Sequence, residues 1–415
     1  MSGDRTIGES ADYVLEMNNQ TYKMGIASVR LHLEGNVISH PFRDLHGDAP
    51  FVVSFDDLNG GFSDYYYTLI HCNPWWERSD LDAAEYIRGF EENYISDYDQ
   101  SFNTLIDYTH YTFSFPNEMC EITKSGNYVL FVYENGNRDE PVFTQRFVIY
   151  EQLVSVVSNV HESSMVSERR YLQEVDFSVI HPAFAIQNPY EDLEVVVLQN
   201  NRWDNAIMDL EPRFVKDKEL DYNYGERLNF MGGNEFRSLD MKNLKYLSMR
   251  VDSTRILKDG WHVWVTPEAL RTFTLYRTDP DINGKYLPYN DTGIDTDLEA
   301  DYAFVHFNMP FDLALSDADF YLFGAFAGWR MQEENRFQYN PDNRSYELTR
   351  LMKQGYYNYA IAARKKGSSI ADLSVIEGNH SETENEYQIV VYNFDLANDY
   401  YRVIGVHFTN SFNNQ

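Results

Sequence analysis

Along the chain, one pattern of apolar and polar positions occurs three times. A β-rich run ends at a tryptophan in residues 63–76 (SDYYYTLIHCNPWW), 193–203 (LEVVVLQNNRW) and 320–329 (FYLFGAFAGW). Strands opened by glycine and filled with aromatic or β-branched residues follow at 126–133 (GNYVLFVY), 260–265 (GWHVWV) and 355–360 (GYYNYA). Apolar residues then alternate through 143–150, 273–276 and 387–392, as a strand with one buried face requires. Such a unit is a small β-sandwich, and its repetition predicts an all-β rod of three tandem Ig-like sandwich domains. Residues 79–89 (SDLDAAEYIRG) depart from strand spacing. They open with Ser, carry acid early, space Leu81, Ala84 and Ile87 as a helix does, and stop at Gly89. This predicts a short helix in an insertion of the first domain. The Tyr-rich stretch 94–111 that follows has no clean period, and a long irregular insertion in a small sandwich is more often functional than decorative.

The pattern divides the 415 residues as follows: a disordered start to about residue 20, a first domain at 20–151, a second at 152–278, an acidic linker or loop at 279–301, and a third domain at 302–410 before a frayed SFNNQ tail. The first boundary falls where TQRFVIYEQ hands directly to LVSVVSNVH. The 32 Tyr and 27 Phe support strands, because aromatic side chains suit half-buried pleated surfaces. A formal charge of −31, from 34 basic and 65 acidic residues, repels phosphate backbones and anionic lipid, which argues against nucleic acid and peripheral membrane partners. So much acid makes a well-solvated surface, or one that favours basic partners or divalent cations. No run of 18 apolar residues occurs, so no helix is expected to enter a membrane. The opening MSGDRTIGES lacks the apolar stretch of a signal peptide, which leaves a cytosolic protein or one whose signal has been removed and a start Met added.

Candidate chemistry is sparse. There is no G-x-S-x-G elbow, no H-E-x-x-H, no phosphate-binding glycine loop and no placed pair of carboxylates for glycoside cleavage, so the chain reads as a non-enzyme without a cofactor. Cys72 and Cys120 are the only cysteines; a disulfide and two buried thiols both fit, and neither has metal-site spacing. Asp279, Asp281 and Asn283 with Gly284 repeat the front half of a calcium loop, but Asn290 stands where a bidentate Glu is wanted. A solvated turn is the preferred reading there, with weak Ca²⁺ binding as the alternative. The element 324–329 (GAFAGW), followed by Asn340, Tyr346 and Gly355, resembles the glycogen-binding type of Ig-like module. Trp329 is therefore a candidate sugar-stacking residue in an alternative reading as a carbohydrate-binding protein, with strand-end packing as the competing role.

Longer strings are more specific. Residues 65–90 (YYYTLIHCNPWWERSDLDAAEYIRGF), 101–118 (SFNTLIDYTHYTFSFPNE), 125–136 (SGNYVLFVYENG), 351–361 (LMKQGYYNYAI) and 376–392 (IEGNHSETENEYQIVVY) together resemble the plug protein family of the type IX secretion system. The resemblance spans nearly the whole chain and is weakest in the second domain. It implies a periplasmic protein that docks on the giant outer-membrane β-barrel translocon and closes its periplasmic mouth while no substrate is in transit. A barrel of that size encloses a wide aqueous lumen, so a plug needs stiffness, area and reversibility more than chemistry. Under this resemblance Trp75, Trp76, Tyr86, Phe90, Tyr94 and Tyr108 are candidate contact residues, since Trp and Tyr are enriched at interface hot spots. Packing of the first domain is the competing role for the same side chains.

Overall fold

The most continuous apolar strands lie at the centre of the molecule, buried on both faces. In the computed structural model, which describes residues 15–412, the strand Gly126–Glu134 sends Tyr128, Leu130 and Val132 into one core and Val129, Phe131 and Tyr133 into another. The strand Leu193–Gln199 does the same with Val195 and Val197 against Val196 and Leu198. Side chains alternate with period two, so a strand covered on both sides reads as an unbroken apolar run rather than an alternating one.

The first core lies between two sheets. One has the order Ile26–Leu33, Phe51–Asp57, Thr109–Phe115, Asp97–Gln100; the other has Gln20–Thr21, Asn137–Tyr150, Gly126–Glu134, Tyr65–Cys72, Asn93–Tyr94, with Phe42–Asp44 parallel to Asn137–Tyr150. The middle core lies between the sheet Arg202–Ile207, Leu193–Gln199, Glu386–Asp395, Tyr400–Asn410 and the sheet built on Ser155–Glu162 and Leu172–Ile180. The third core lies between strands that pair with Gly355–Lys365 and a sheet containing Gly260–Val265, Tyr302–Pro310 and Ser345–Lys353.

Four expectations are corrected or narrowed. The chain does not run as a rod: the outer face of the first sandwich packs directly on the middle one through a further apolar layer that includes Phe42, Ile70, Trp76, Phe131, Leu198, Tyr392 and Val403. The boundaries do not follow the sheets either. Glu386–Asp395 pairs antiparallel with Leu193–Gln199 (Val390 opposite Val196), so the C-terminal strands complete the middle sandwich instead of closing a domain at 302–410. Of the two readings of residues 279–301, linker or loop, the segment is mostly loop within the third unit, where Tyr286–Pro288 pairs with Gly355–Lys365. The expected strand at 273–276 is a loop with Phe273 and Leu275 almost wholly exposed; alternation over four residues was too short to specify an edge.

The all-β class holds. The helix expected at 79–89 is a single turn, Ala83–Tyr86, closed by a reciprocal Asp82–Glu85 capping box, after which Ile87–Gly89 becomes a strand against Cys120–Ile122. Of the expected disordered start, residues 1–14 lie outside the described residues, whereas Leu15 and Met17 pack on the layer between the first two sandwiches and Gln20–Thr21 joins a sheet. Of the SFNNQ tail, residues 413–415 lie outside as well. Both cysteines are free and buried, Cys72 in the inter-sandwich layer and Cys120 in the first core, and burial pushes their thiols up to about 12 and about 11.

Candidate partner-binding surface

The six aromatic candidates separate cleanly. Trp76, Tyr86 and Tyr108 are only 6%, 3% and 2% exposed, which removes them as contact residues. Trp76 meets Trp203 edge-on at 4.8 Å under the Arg146 guanidinium, 4.2 Å from its ring, and so joins the first and middle sandwiches. Tyr86 donates to the Leu69 carbonyl at 3.1 Å. Tyr108 donates to the carbonyls of Asp297 and Ala300, each at 2.9 Å, and joins the first unit to the third. Trp76 and Tyr108 thus fill joints between units, whereas Tyr86 fills the first core.

Trp75, Phe90 and Tyr94 are exposed at 43%, 57% and 46%. Trp75 stands apart from the other two. Asn73 Oδ1 accepts from the backbone N–H groups of Trp75 and Glu77, and Trp76 takes a left-handed φ of 64°, so the turn points the two tryptophans in different directions. Phe90 and Tyr94 lie at the other end of the strand Tyr65–Cys72, where Tyr94 pairs with Tyr66.

Around them is an open edge that the sequence reading missed. Asp97–Gln100 is the last strand of its sheet and is exposed at every position, with Tyr98 opposite Tyr111. Phe62 stacks on Tyr98 at 5.6 Å, Tyr66 contacts Tyr94 at 5.2 Å, and Tyr94 donates to Asp64 at 3.0 Å. Beside the edge is an open cleft of about 410 Å³ lined by Tyr67, Phe90, Tyr94, Phe113, Asn117 and Met119. Phe62, Phe102 and Met119 also face solvent. Asp64, Glu91, Glu92, Asp97 and Asp99 make the rim acidic, and Arg138, held by Glu91 and Glu92 at 2.8 and 3.1 Å, is a basic exception. An edge strand leaves backbone donors and acceptors without a neighbouring strand, and exposed aromatics beside it supply anchors, so this arrangement can bind a protein segment. The acid–aromatic alternation of DYDQ at 97–100 was the available signal, since charge on a short strand is how edges are kept from self-pairing.

The remaining family strings build joints. In YTHY, His110 Nδ1 lies 2.6 Å from Asp56, whose other oxygen accepts from Tyr302 at 2.6 Å and from Lys353 at 2.7 Å, linking the first and third units through a fully buried carboxylate. Burial would raise Asp56, but Lys353 and His110 outweigh it and hold the carboxyl below its usual range; burial also draws the Lys353 ammonium down. In IEGNHSETEN the chain crosses from the third unit back to the middle one. Glu377 receives Arg237 at 2.9 Å and Arg271 at 2.6 Å, Asn379 accepts from Gly233 at 2.8 Å, and Asn385 donates to Gln173 at 2.9 Å. Burial opposes ionisation of Glu377, yet the two guanidiniums bring it to about 2.

The alternative sites fare differently. Trp329 is 9% exposed and packed edge-on against Phe236 and Phe323 at 5.9 and 5.4 Å, which is the strand-end packing role rather than an exposed sugar platform. In the calcium-like loop Asp279 is paired with Arg277 at 2.5 Å, Asp281 accepts backbone N–H groups from Phe236 and Asn283, and Asn283 donates to Glu384 at 2.7 Å. The Asp279 and Asp281 oxygens are taken by these partners, and burial carries Asp281 up to about 7, which weakens it as a cation ligand.

Fold and surface together define an all-β, multi-sandwich protein with an exposed, aromatic-flanked strand edge on its first unit. Residues 26–151 match the family model described as the type 9 secretion system plug protein 1st domain. It is similar over its length to the crystal structure of a hypothetical protein from Parabacteroides merdae ATCC 43184, with 32% identity and a TM-score of 0.92 over 96% of this chain and 100% of that one. No curated protein matches. Among the described residues no helix is long and apolar enough to cross a membrane.

Proposed function

We propose that this protein is a periplasmic plug that binds the outer-membrane barrel translocon of type IX secretion and closes its periplasmic opening when no substrate is engaged. The observation that carries the reading is a coincidence of position: the segment matched by the plug-family model is also the one that presents the open strand Asp97–Gln100 with Phe62, Phe90, Tyr94 and Tyr98 around it. The three sandwiches, packed on one another, act in this reading as a stiff body behind that edge. Closure of a pore uses shape and burial and needs no catalytic group. A carbohydrate-binding role loses its main support with Trp329 only 9% exposed and packed on Phe236 and Phe323.

The test is capture of the purified barrel in mild detergent by the full chain. The wild type is expected to bind at the periplasmic mouth, and Phe90→Ala with Tyr94→Ala to weaken binding by about 2 kcal/mol or more per anchor while the fold stays intact. Cells without the protein should have a leaky outer membrane. A wild-type chain that ignores the barrel, or binds its extracellular mouth equally well, would overturn the reading.

A further inference from the structure

On the outer face of the middle sandwich, His161, Glu174 and Asp176 each bring one donor atom to within 4.8 Å of the others. Strand register makes the cluster: His161 lies directly opposite Glu174, Glu174 directly opposite Asn229 on a third strand, and Asp176 two residues along on the same face. The intervening Val160, Val175 and Phe177 fill the core on the other side.

Three details single the cluster out from ordinary surface charge. His161 Nδ1 lies 2.6 Å from the Glu162 carbonyl oxygen, which can only accept, so Nδ1 carries the hydrogen. In the neutral ring Nε2 therefore turns its lone pair toward Asp176 Oδ2, 3.1 Å away, and two acceptors at that distance need a proton or a cation between them. Asp176 Oδ1 and Asn229 Oδ1 are both buried without a hydrogen-bond partner among the described residues. A proton on Nε2 would account for the Asp176 Oδ2 contact alone and would not engage Glu174. Glu174, almost wholly buried, is held by the Ser164 N–H at 2.7 Å through one oxygen.

We propose that His161, Glu174 and Asp176 bind a divalent transition-metal ion of the Zn²⁺ class. One imidazole and two carboxylates suit such an ion, and the 3.1 Å between Nε2 and Oδ2 is near the ~3.3 Å edge of a tetrahedron with ~2.0–2.1 Å bonds. An imidazole whose second nitrogen donates to a backbone carbonyl is also the usual outer-shell arrangement of a metal-bound His. The site is remote in the fold from the aromatic edge and does not depend on the plug reading.

The full chain, stripped with chelator, is titrated with Zn²⁺ by calorimetry and with Co²⁺ by visible absorption. One Zn²⁺ per chain is expected, with intensified Co²⁺ d–d bands and a rise in unfolding temperature on Zn²⁺ addition. His161→Gln and Asp176→Asn should each lower affinity by at least ~100-fold, the upper end of the loss seen when only an outer-shell partner is removed. Circular dichroism checks their folds, and if His161→Gln misfolds, the near-isosteric Asp176→Asn decides. No stoichiometric binding, binding undiminished in the folded variants, or equal preference for Ca²⁺ would overturn the site.

Discussion

Trp75 and Trp76 are neighbours in sequence and opposite in consequence. Trp76 is sealed between two sandwiches under Arg146, so Trp76→Ala should cost about 3–5 kcal/mol in chemical denaturation, the range for losing a buried aromatic. Trp75 touches Tyr401 by an edge only, and Trp75→Ala should cost far less in the same experiment. Glu377 gives the clearest pH dependence. Its carboxyl, ordinarily at 4.5, is brought to about 2 in the folded state, so its contribution is present above pH 4.5 and lost as pH falls toward 2. The span is worth roughly 3 kcal/mol. Glu377→Gln should flatten the acid limb of the stability profile and, by leaving Arg271 without its carboxylate and Arg237 with Glu268 alone, destabilise the protein at neutral pH by about 3 kcal/mol.

At the scale of elements, strand identity was legible because period-two spacing and Tyr, Phe and Val content depend on local structure. Strand partnership was not. LEVVVLQ at 193–199 reads equally well as the core strand of an isolated sandwich or as a strand buried on both faces, and only the second allows the distant Glu386–Asp395 to pair with it. The same limit decided the aromatic residues: pattern could show that Tyr86, Tyr94 and Tyr108 belong to the first unit, but Asp64 beside Tyr94 and Ala300 beside Tyr108 are brought there by tertiary structure. The exchange of strands makes a direct prediction. A chain ending at residue 385 loses Glu386–Asp395 and Tyr400–Asn410, half of one sheet of the middle sandwich, and residues 152–278 alone should fail to fold for the same reason. Protease resistance of the middle unit measures this; its survival in either fragment would show that the C-terminal strands are dispensable.

At the scale of the molecule, the three sandwiches are joined by packed layers rather than loosely tethered, which is what the proposed plug role would need. Between the first and middle units the joint is apolar, whereas between the first and third it is a buried polar cluster centred on Asp56, with Lys353 also 4.2 Å from the Tyr108 ring. Burying these charges brings little net stability, but removing one partner leaves the other uncompensated in a dry site. Lys353→Met and Asp56→Asn should therefore each destabilise the chain by about 3–5 kcal/mol, while the double variant recovers a substantial part of the loss, giving a coupling energy above about 1 kcal/mol in a thermodynamic cycle. Exposed Phe90 and Tyr94 lie outside this cluster, so a joint-loosened variant that remains folded should still be captured by the barrel through its first unit. It should nevertheless seal poorly, with outer-membrane permeability rising while barrel capture stays near the wild-type level. Loss of capture in proportion to permeability would show that the joint supports the binding edge itself rather than the stiffness behind it.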